Sequence, residues 1–228
     1  MAVILSIETS TSVCSAALHE NGNLIAVKEL HTPQSAASQL AVQIETLFFS
    51  TALSKKCVQA VAVSSGPGSY TGLRIGTATA KGICYGLNVP LLAIDSLYVL
   101  AAGIKEVLPT DLLCPMIDAR RMEVYCSLLD ISMNILEKTR AKIIDSDSFK
   151  DLLDLHRIQF FGNGADKCRG VIDHPHAIFL DNVYSTAANM GKHAFEKFQK
   201  GEFENLESFE PNYLKDFVAK TKSAGKLL

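Results

Sequence analysis

The sequence reads Ser65-Gly66-Pro67-Gly68-Ser69-Tyr70-Thr71-Gly72-Leu73-Arg74-Ile75-Gly76 immediately after the valine-rich run 58–64. That run is apolar and short, the pattern of a strand buried on both faces. Residues 73–87 carry helical spacing, and Pro90 breaks the pattern before a second short apolar run at 91–94. The quoted stretch therefore joins a buried strand to a helix. Glycines at 66, 68 and 72 permit close backbone approach and positive φ, while Ser69 and Thr71 add hydroxyls beside the free N–H groups of a helix N-terminus. No Lys-Ser or Lys-Thr follows Gly72, so this is not a P-loop. Pro67 stands where the first glycine of a G-x-S-x-G elbow belongs, which excludes that nucleophile motif as well.

Working outward, residues 3–8, 13–19 and 24–30 read as three strands, the last two joined by the tight-turn signal Asn21-Gly22-Asn23. A helix is predicted over 35–51, with Leu40, Ile44 and Leu47 on one face. About 110 residues later the pattern returns. Ile117-Asp118 echoes Ile7-Glu8, 124–129 echoes 13–18, and a turn near Asn134 leads into 135–144. The predicted architecture is α/β, built from two diverged β-β-β-α halves spanning 1–108 and 109–228, with a hinge near 108–112. Further helices are predicted at 146–155 and 185–199 and a strand at 158–161, with the last residues, about 211–228, returning to the first half. Each half then ends its first strand in an acid, Glu8 or Asp118, and the two carboxylates would face one cleft. This arrangement resembles the actin-like (ASKHA, ribonuclease H-like) ATPase fold. A plainer role for both acids is to accept backbone hydrogen bonds in their turns.

Composition narrows the classes. The chain has 228 residues, 48% hydrophobic and 20% charged, with a formal net charge of −2, so it should bury about 70% of its unfolded surface. A near-neutral balance argues against a free-standing nucleic-acid binder. No apolar run is long enough to cross a bilayer, and Met1-Ala2 leads straight into an apolar run without a basic leader. The six cysteines form no C-x-x-C pair and mostly sit in apolar runs, as reduced core residues of a cytoplasmic protein do. Lys215, Lys220, Lys222 and Lys226 make the tail basic, as expected of a solvated terminus.

As a whole string, GPGSYTGLRIG resembles the hallmark of the TsaB (YeaZ) family. Ile4-Leu5-Ser6-Ile7-Glu8-Thr9-Ser10-Thr11 resembles the family's opening, with Glu8 for the commoner Asp. Residues 117–125, Ile-Asp-Ala-Arg-Arg-Met-Glu-Val-Tyr, resemble its D-A-R-x-x-E-V-Y motif with a variant spacing. Asp95-Ser96-Leu97, Gly162-Asn163-Gly164 and Pro211-Asn212-Tyr213-Leu214 follow in the expected order. The resemblance implies an actin-like fold and a part in making N6-threonylcarbamoyladenosine beside the tRNA anticodon. Its members are non-catalytic partners of the metal-bearing paralogue TsaD, joined in bacteria by the small ATPase TsaE, and reach tRNA indirectly.

The residues agree with a partner role. The paralogue's H-x-x-x-H metal pair has no counterpart: none of the six histidines are spaced i, i+4, and the first predicted helix has none. His174-x-His176 would need a third ligand from elsewhere. The turn Glu8-Thr9-Ser10-Thr11-Ser12 has hydroxyls but no glycine or cation, and Asp118-Ala119-Arg120-Arg121 has charge but no glycine. No metal or autonomous cofactor is expected, and ATP or ADP would bind at a site shared with partners. The competing reading is an actin-like nucleotide hydrolase or a glycoprotease-like metallopeptidase. A possible ligand cleft would comprise Glu8, Thr9, Ser10, Gly66, Gly68, Ser69, Thr71, Gly72, Arg74, Asp118 and Arg120.

The helices carry a second signal. Val42 and Phe49 fall roughly 160° from the core stripe of the first helix, where a domain-covering helix should be polar. On the second, Leu73, Ala80, Ile83, Cys84 and Leu87 form the core stripe. Ile75, Ala78, Gly82, Tyr85 and Gly86 lie opposite, mostly small and apolar, so another helix could approach closely. This face is expected to bind TsaD or, in its absence, a second copy of the chain in an isologous homodimer.

Overall fold

The computed structural model describes residues 1–32, 36–104 and 111–214. The hinge predicted at 108–112 and the basic tail lie largely outside these residues. The first five strands are β1 (Val3–Glu8), β2 (Cys14–Glu20), β3 (Asn23–Leu30), β4 (Val58–Ser64) and β5 (Leu91–Ile94). The second five are β6 (Asp111–Asp118), β7 (Glu123–Asp130), β8 (Ile135–Ile143), β9 (Arg157–Phe161) and β10 (Ala177–Leu180). They form two sheets of order β3-β2-β1-β4-β5 and β8-β7-β6-β9-β10. In both, the first three strands are antiparallel and the fourth and fifth add parallel. The two halves thus share one topology, and the α/β, actin-like duplication read from the sequence is present.

The helices are less symmetric. Helices α1 (Ala36–Thr51) and α2 (Tyr70–Leu87) cover one face of the first sheet. Their core stripe of Leu40, Ile44, Leu47, Ala80 and Cys84 packs on Val3, Leu5, Ile7, Ala16 and Leu18. Helix α2 begins three residues earlier than predicted, because Ser69 caps it by accepting a hydrogen bond from Gly72 N. It stops at Asn88, which adopts the left-handed conformation, two residues before Pro90. In the second half β8 and β9 are joined by residues 144–156 alone, and only a short helix α4 (Lys150–Leu153) forms where 146–155 was predicted. The connection is too short for a counterpart of α1.

Two helices cross between the halves. Helix α3 (Ser96–Ala101), unpredicted, is capped by Asp95, whose carboxylate accepts from Leu97 N, Tyr98 N and Thr139 Oγ1. It packs Leu97, Leu100 and Ala101 against Leu113, Ile117 and Phe161 of the second sheet. In return α5 (Gly191–Lys200) and the 3-10 turn Ala187–Met190 replace the single helix expected over 185–199. Met190 and Ala194 pack on Ile4, Ala60, Ala62 and Leu92, the free face of the first sheet. The chain therefore returns to the first half from about Ser185, well before residue 211. It continues as a strap in which Glu204 N donates to Leu91 O and Asn212 N to Ser65 O. Lys81 holds the strap by donating to Glu207 O and Phe209 O.

Candidate functional site

The motif glycines are spent on packing against the β1–β2 turn. A Cβ at Gly72 would lie 2.0 Å from Thr9 O, at Gly68 2.3 Å from Ser10 O, and at Gly76 2.2 Å from Thr9 Oγ1. Ser69 N donates to Ser10 O, and Thr9 Oγ1 donates to Gly72 O. Gly66, at φ +99°, has the strap's Asn212 O 2.7 Å from its missing Cβ. The loop is a clamp that locks α2 and the strap onto the first turn. Thr71 and Arg74 point away from it and are exposed, Arg74 lying over the Tyr70 ring.

Glu8 is fully buried in that clamp. Its carboxylate accepts from Ser10 N at 2.5 Å and from Ser185 Oγ at 2.8 Å. Burial raises its pKa above the usual carboxylate range, and the hydrogen bonds from Ser10, Ser185 and Ser64 offset part of that shift. Thr9 and Ser10 are equally buried. With Gly68, Gly72 and Gly76 filling its mouth, this turn does not fit a triphosphate.

Asp118 is exposed and sits in different surroundings. Its Oδ1 accepts from Arg120 N and from Lys167 Nζ, and its N–H donates to Asn163 Oδ1. The cleft with two facing carboxylates is not formed. Glu8 shares a strand face with Ile4 and Ser6, toward the returning chain at Ser185. Asp118 shares its face with Cys114 and Met116, toward Lys167. The echo of Ile7-Glu8 in Ile117-Asp118 is displaced by one residue, and one residue reverses the face.

The third region is the outer side of α1 and α2. Val42, Phe49 and Tyr85 are 55%, 89% and 84% exposed, and Ala78, Gly82 and Gly86 are exposed too. Nothing lies within 4 Å of a Cβ built at Gly82 or Gly86. Ile75 departs from the expectation: it is half-buried and packs on the core. Between the helices runs an apolar groove of about 390 Å³, with Ile44, Phe48, Ile83 and Leu87 in its walls and Glu45 and Lys55 paired at 3.0 Å on its rim. Phe48 was missed by sequence reasoning, although it continues the apolar stripe of α1. The structure thus groups Glu8, Thr9, Ser10, Gly66, Gly68, Ser69 and Gly72 at one place, and Asp118 with Arg120 at another.

Comparison with known proteins gives the lineage. The sequence profile of the family described as "TsaD: tRNA N6-adenosine threonylcarbamoyltransferase" matches residues 31–223. An Escherichia coli protein named tRNA threonylcarbamoyladenosine biosynthesis protein TsaB is 28% identical over 98% of this chain and 99% of its own length. The chain belongs to this family, in its TsaB (YeaZ) group. A TsaB of Haemophilus influenzae is 29% identical over 66% of the chain and 61% of the relative. Among solved structures, YeaZ from Pseudomonas aeruginosa superposes with a TM-score of 0.79 at 23% identity, covering 94% of this chain and all of that one. That likeness shows that this chain shares the fold of that structure. Among the described residues no helix is long and apolar enough to cross a membrane.

Proposed function

We propose that this chain serves tRNA threonylcarbamoyladenosine synthesis as a non-catalytic subunit, docking through the outer α1–α2 face on a TsaD-type transferase. The relatives' names place them in that biosynthesis. The observation that carries the docking role is the exposed set Val42, Phe49 and Tyr85 beside an apolar groove and two glycines with open space above them. Large aromatics around small residues are the make-up of an interface centre, and a partner helix could reach the α2 backbone at Gly82 and Gly86. Without the partner, the same face would pair two copies isologously. The buried, occupied first turn supports a subunit that lends surface rather than chemistry. Any adenine nucleotide would bind at a site completed by the partner, with a TsaE-type ATPase as a third component.

The test is association and activity of Phe49→Asp and Gly82→Leu with the cognate transferase. Burying Phe49 is worth about 2 kcal/mol, so its loss should weaken association about thirtyfold while the variant melts like the parent. Unchanged association by a folded Gly82→Leu variant would remove this face from the interface. Turnover of ATP by the isolated chain would favour a hydrolase instead.

A further inference from the structure

The β6–β7 turn holds two consecutive non-glycine residues in the left-handed region, Arg120 at φ 68° and Arg121 at φ 50°. Turns of this kind favour asparagine and glycine, so arginine at both positions is held against its backbone preference. Both side chains are exposed, and among the described residues neither guanidinium has a hydrogen-bond or ion-pair partner. The turn beneath them is stiff. Lys167 Nζ donates to Arg121 O and Glu123 O at 2.7 Å each and also binds Asp118 Oδ1. Arg120 N donates to the same carboxylate, and Ala119 N donates to Glu123 O.

The surroundings extend the positive charge. Lys142 lies opposite Val124, the residue just beyond the turn, and Ile144 N donates to Met122 O. Its ammonium lies over the Phe149 ring, with exposed Lys150 next in sequence. On the first sheet this side of the outer strands is covered by α1. On the second, the segment 144–172 covers the β7 part of this side, burying Val124, Cys126 and Leu128, and leaves Lys142 half-buried at its edge. A local run of cations on a chain of net charge −2 is set against the average sign of the molecule.

We propose that Arg120 and Arg121, with Lys142 behind them, form a preorganised contact for the phosphate backbone of the substrate tRNA, and the inference rests on the tRNA-modification reading above. The turn leaves both arginine side chains exposed to solvent, and Asp118, the carboxylate at its start, is already engaged by Lys167. Such a projection suits a groove or strand of RNA read through its phosphates.

The test uses the complex of this chain with its transferase, labelled tRNA and a salt series. The double variant Arg120→Asn/Arg121→Asn keeps residues that tolerate the turn, so folding should be preserved. Each lost phosphate contact should lower the slope of log affinity against log salt by about 0.7 to 0.9, a drop of about 1.5 for the pair. In transfer assays KM for tRNA should rise while kcat holds. An unchanged slope and KM overturns the inference and leaves the subunit reading intact. Loss of co-elution with the transferase would assign the turn to a protein contact, and displacement of tRNA by ATP alone would assign it to a nucleotide; either overturns it. If tRNA is modified equally well without this chain, the subunit reading falls first and the inference falls with it.

Discussion

Alanine at Gly72 and alanine at Gly82 should move stability in opposite directions, although both glycines lie in α2. At Gly72 the added Cβ would meet Thr9 O at 2.0 Å, a backbone atom held by the β1–β2 turn, with Ser69 Cβ at 3.3 Å. Overpacking costs typically about 1 to 3 kcal/mol. A clash with backbone that cannot rotate away places this case at about 3 kcal/mol or more, a large share of the roughly 5 to 15 kcal/mol that holds a domain folded. At Gly82 the Cβ enters open space, and alanine in a helix interior is better than glycine by about 1 kcal/mol. At this chain length a kcal/mol shifts the melting temperature by about 2 to 4 °C, so Gly72→Ala should melt about 6 to 12 °C lower and Gly82→Ala about 2 to 4 °C higher. Thermal and urea melts at one fixed protein concentration read this directly, since self-association would otherwise raise the apparent stability. A Gly72→Ala protein as stable as the parent would refute the clamp. A Gly82→Ala protein that loses stability would place that face inside the fold.

Three further outcomes concern single polar side chains. Because the folded-state pKa of Glu8 is raised, its ionisation penalises the folded state, a cost absent below about pH 4.5 and growing as pH rises. Glu8→Gln should therefore gain on the parent in denaturant melts as pH increases from 4.5, and a constant difference would contradict the assignment. His19 is buried with its pKa lowered by desolvation, and its Nε2 lies 3.2 Å from Ala188 O while Nδ1 meets Ser6 Oγ at 3.0 Å. A carbonyl can only accept, so Nε2 carries the proton and Nδ1 accepts from Ser6. Stability should fall as pH drops below 6.5, by more in the parent than in His19→Gln. Lys81→Met removes both hydrogen bonds to the strap and should cost about 1 kcal/mol, with faster protease cleavage within 203–213; unchanged cleavage would mean the strap is held elsewhere.

The strands were legible where burial is continuous. β1 and β4 have the bounds that their apolar runs suggest, because Val3, Ile4, Leu5, Val61 and Val63 face protein on both sides. The start of α2 was obscured because Gly72 reads as loop, although Ser69 three residues before it is a capping signal. Helix α3 is six residues long and apolar nearly all round, since it is buried between elements of both halves, and no periodicity can show in so short a segment. The exchange of α3 and α5 between the sheets is a long-range choice with no local mark. The site divides similarly. Exposed Val42, Phe49 and Tyr85 stood out as apolar residues on the wrong side of a helix. The glycines of the motif suggested a ligand loop, and only the fold brings Thr9 and Ser10 against them. The pairing of Glu8 with Asp118 failed by one residue of register, a displacement that an echo of sequence does not resolve.

The central claim is that this chain acts by completing a transferase through the α1–α2 face. The most direct measurement is reconstituted threonylcarbamoyl transfer to tRNA by the cognate transferase and its partners, with parent chain, Phe49→Asp, or no chain, alongside size-exclusion of each pair. The account predicts transfer and co-elution with the parent, and loss of both with the variant or without the chain. Full transfer without the chain, or with a variant that no longer co-elutes, would contradict it.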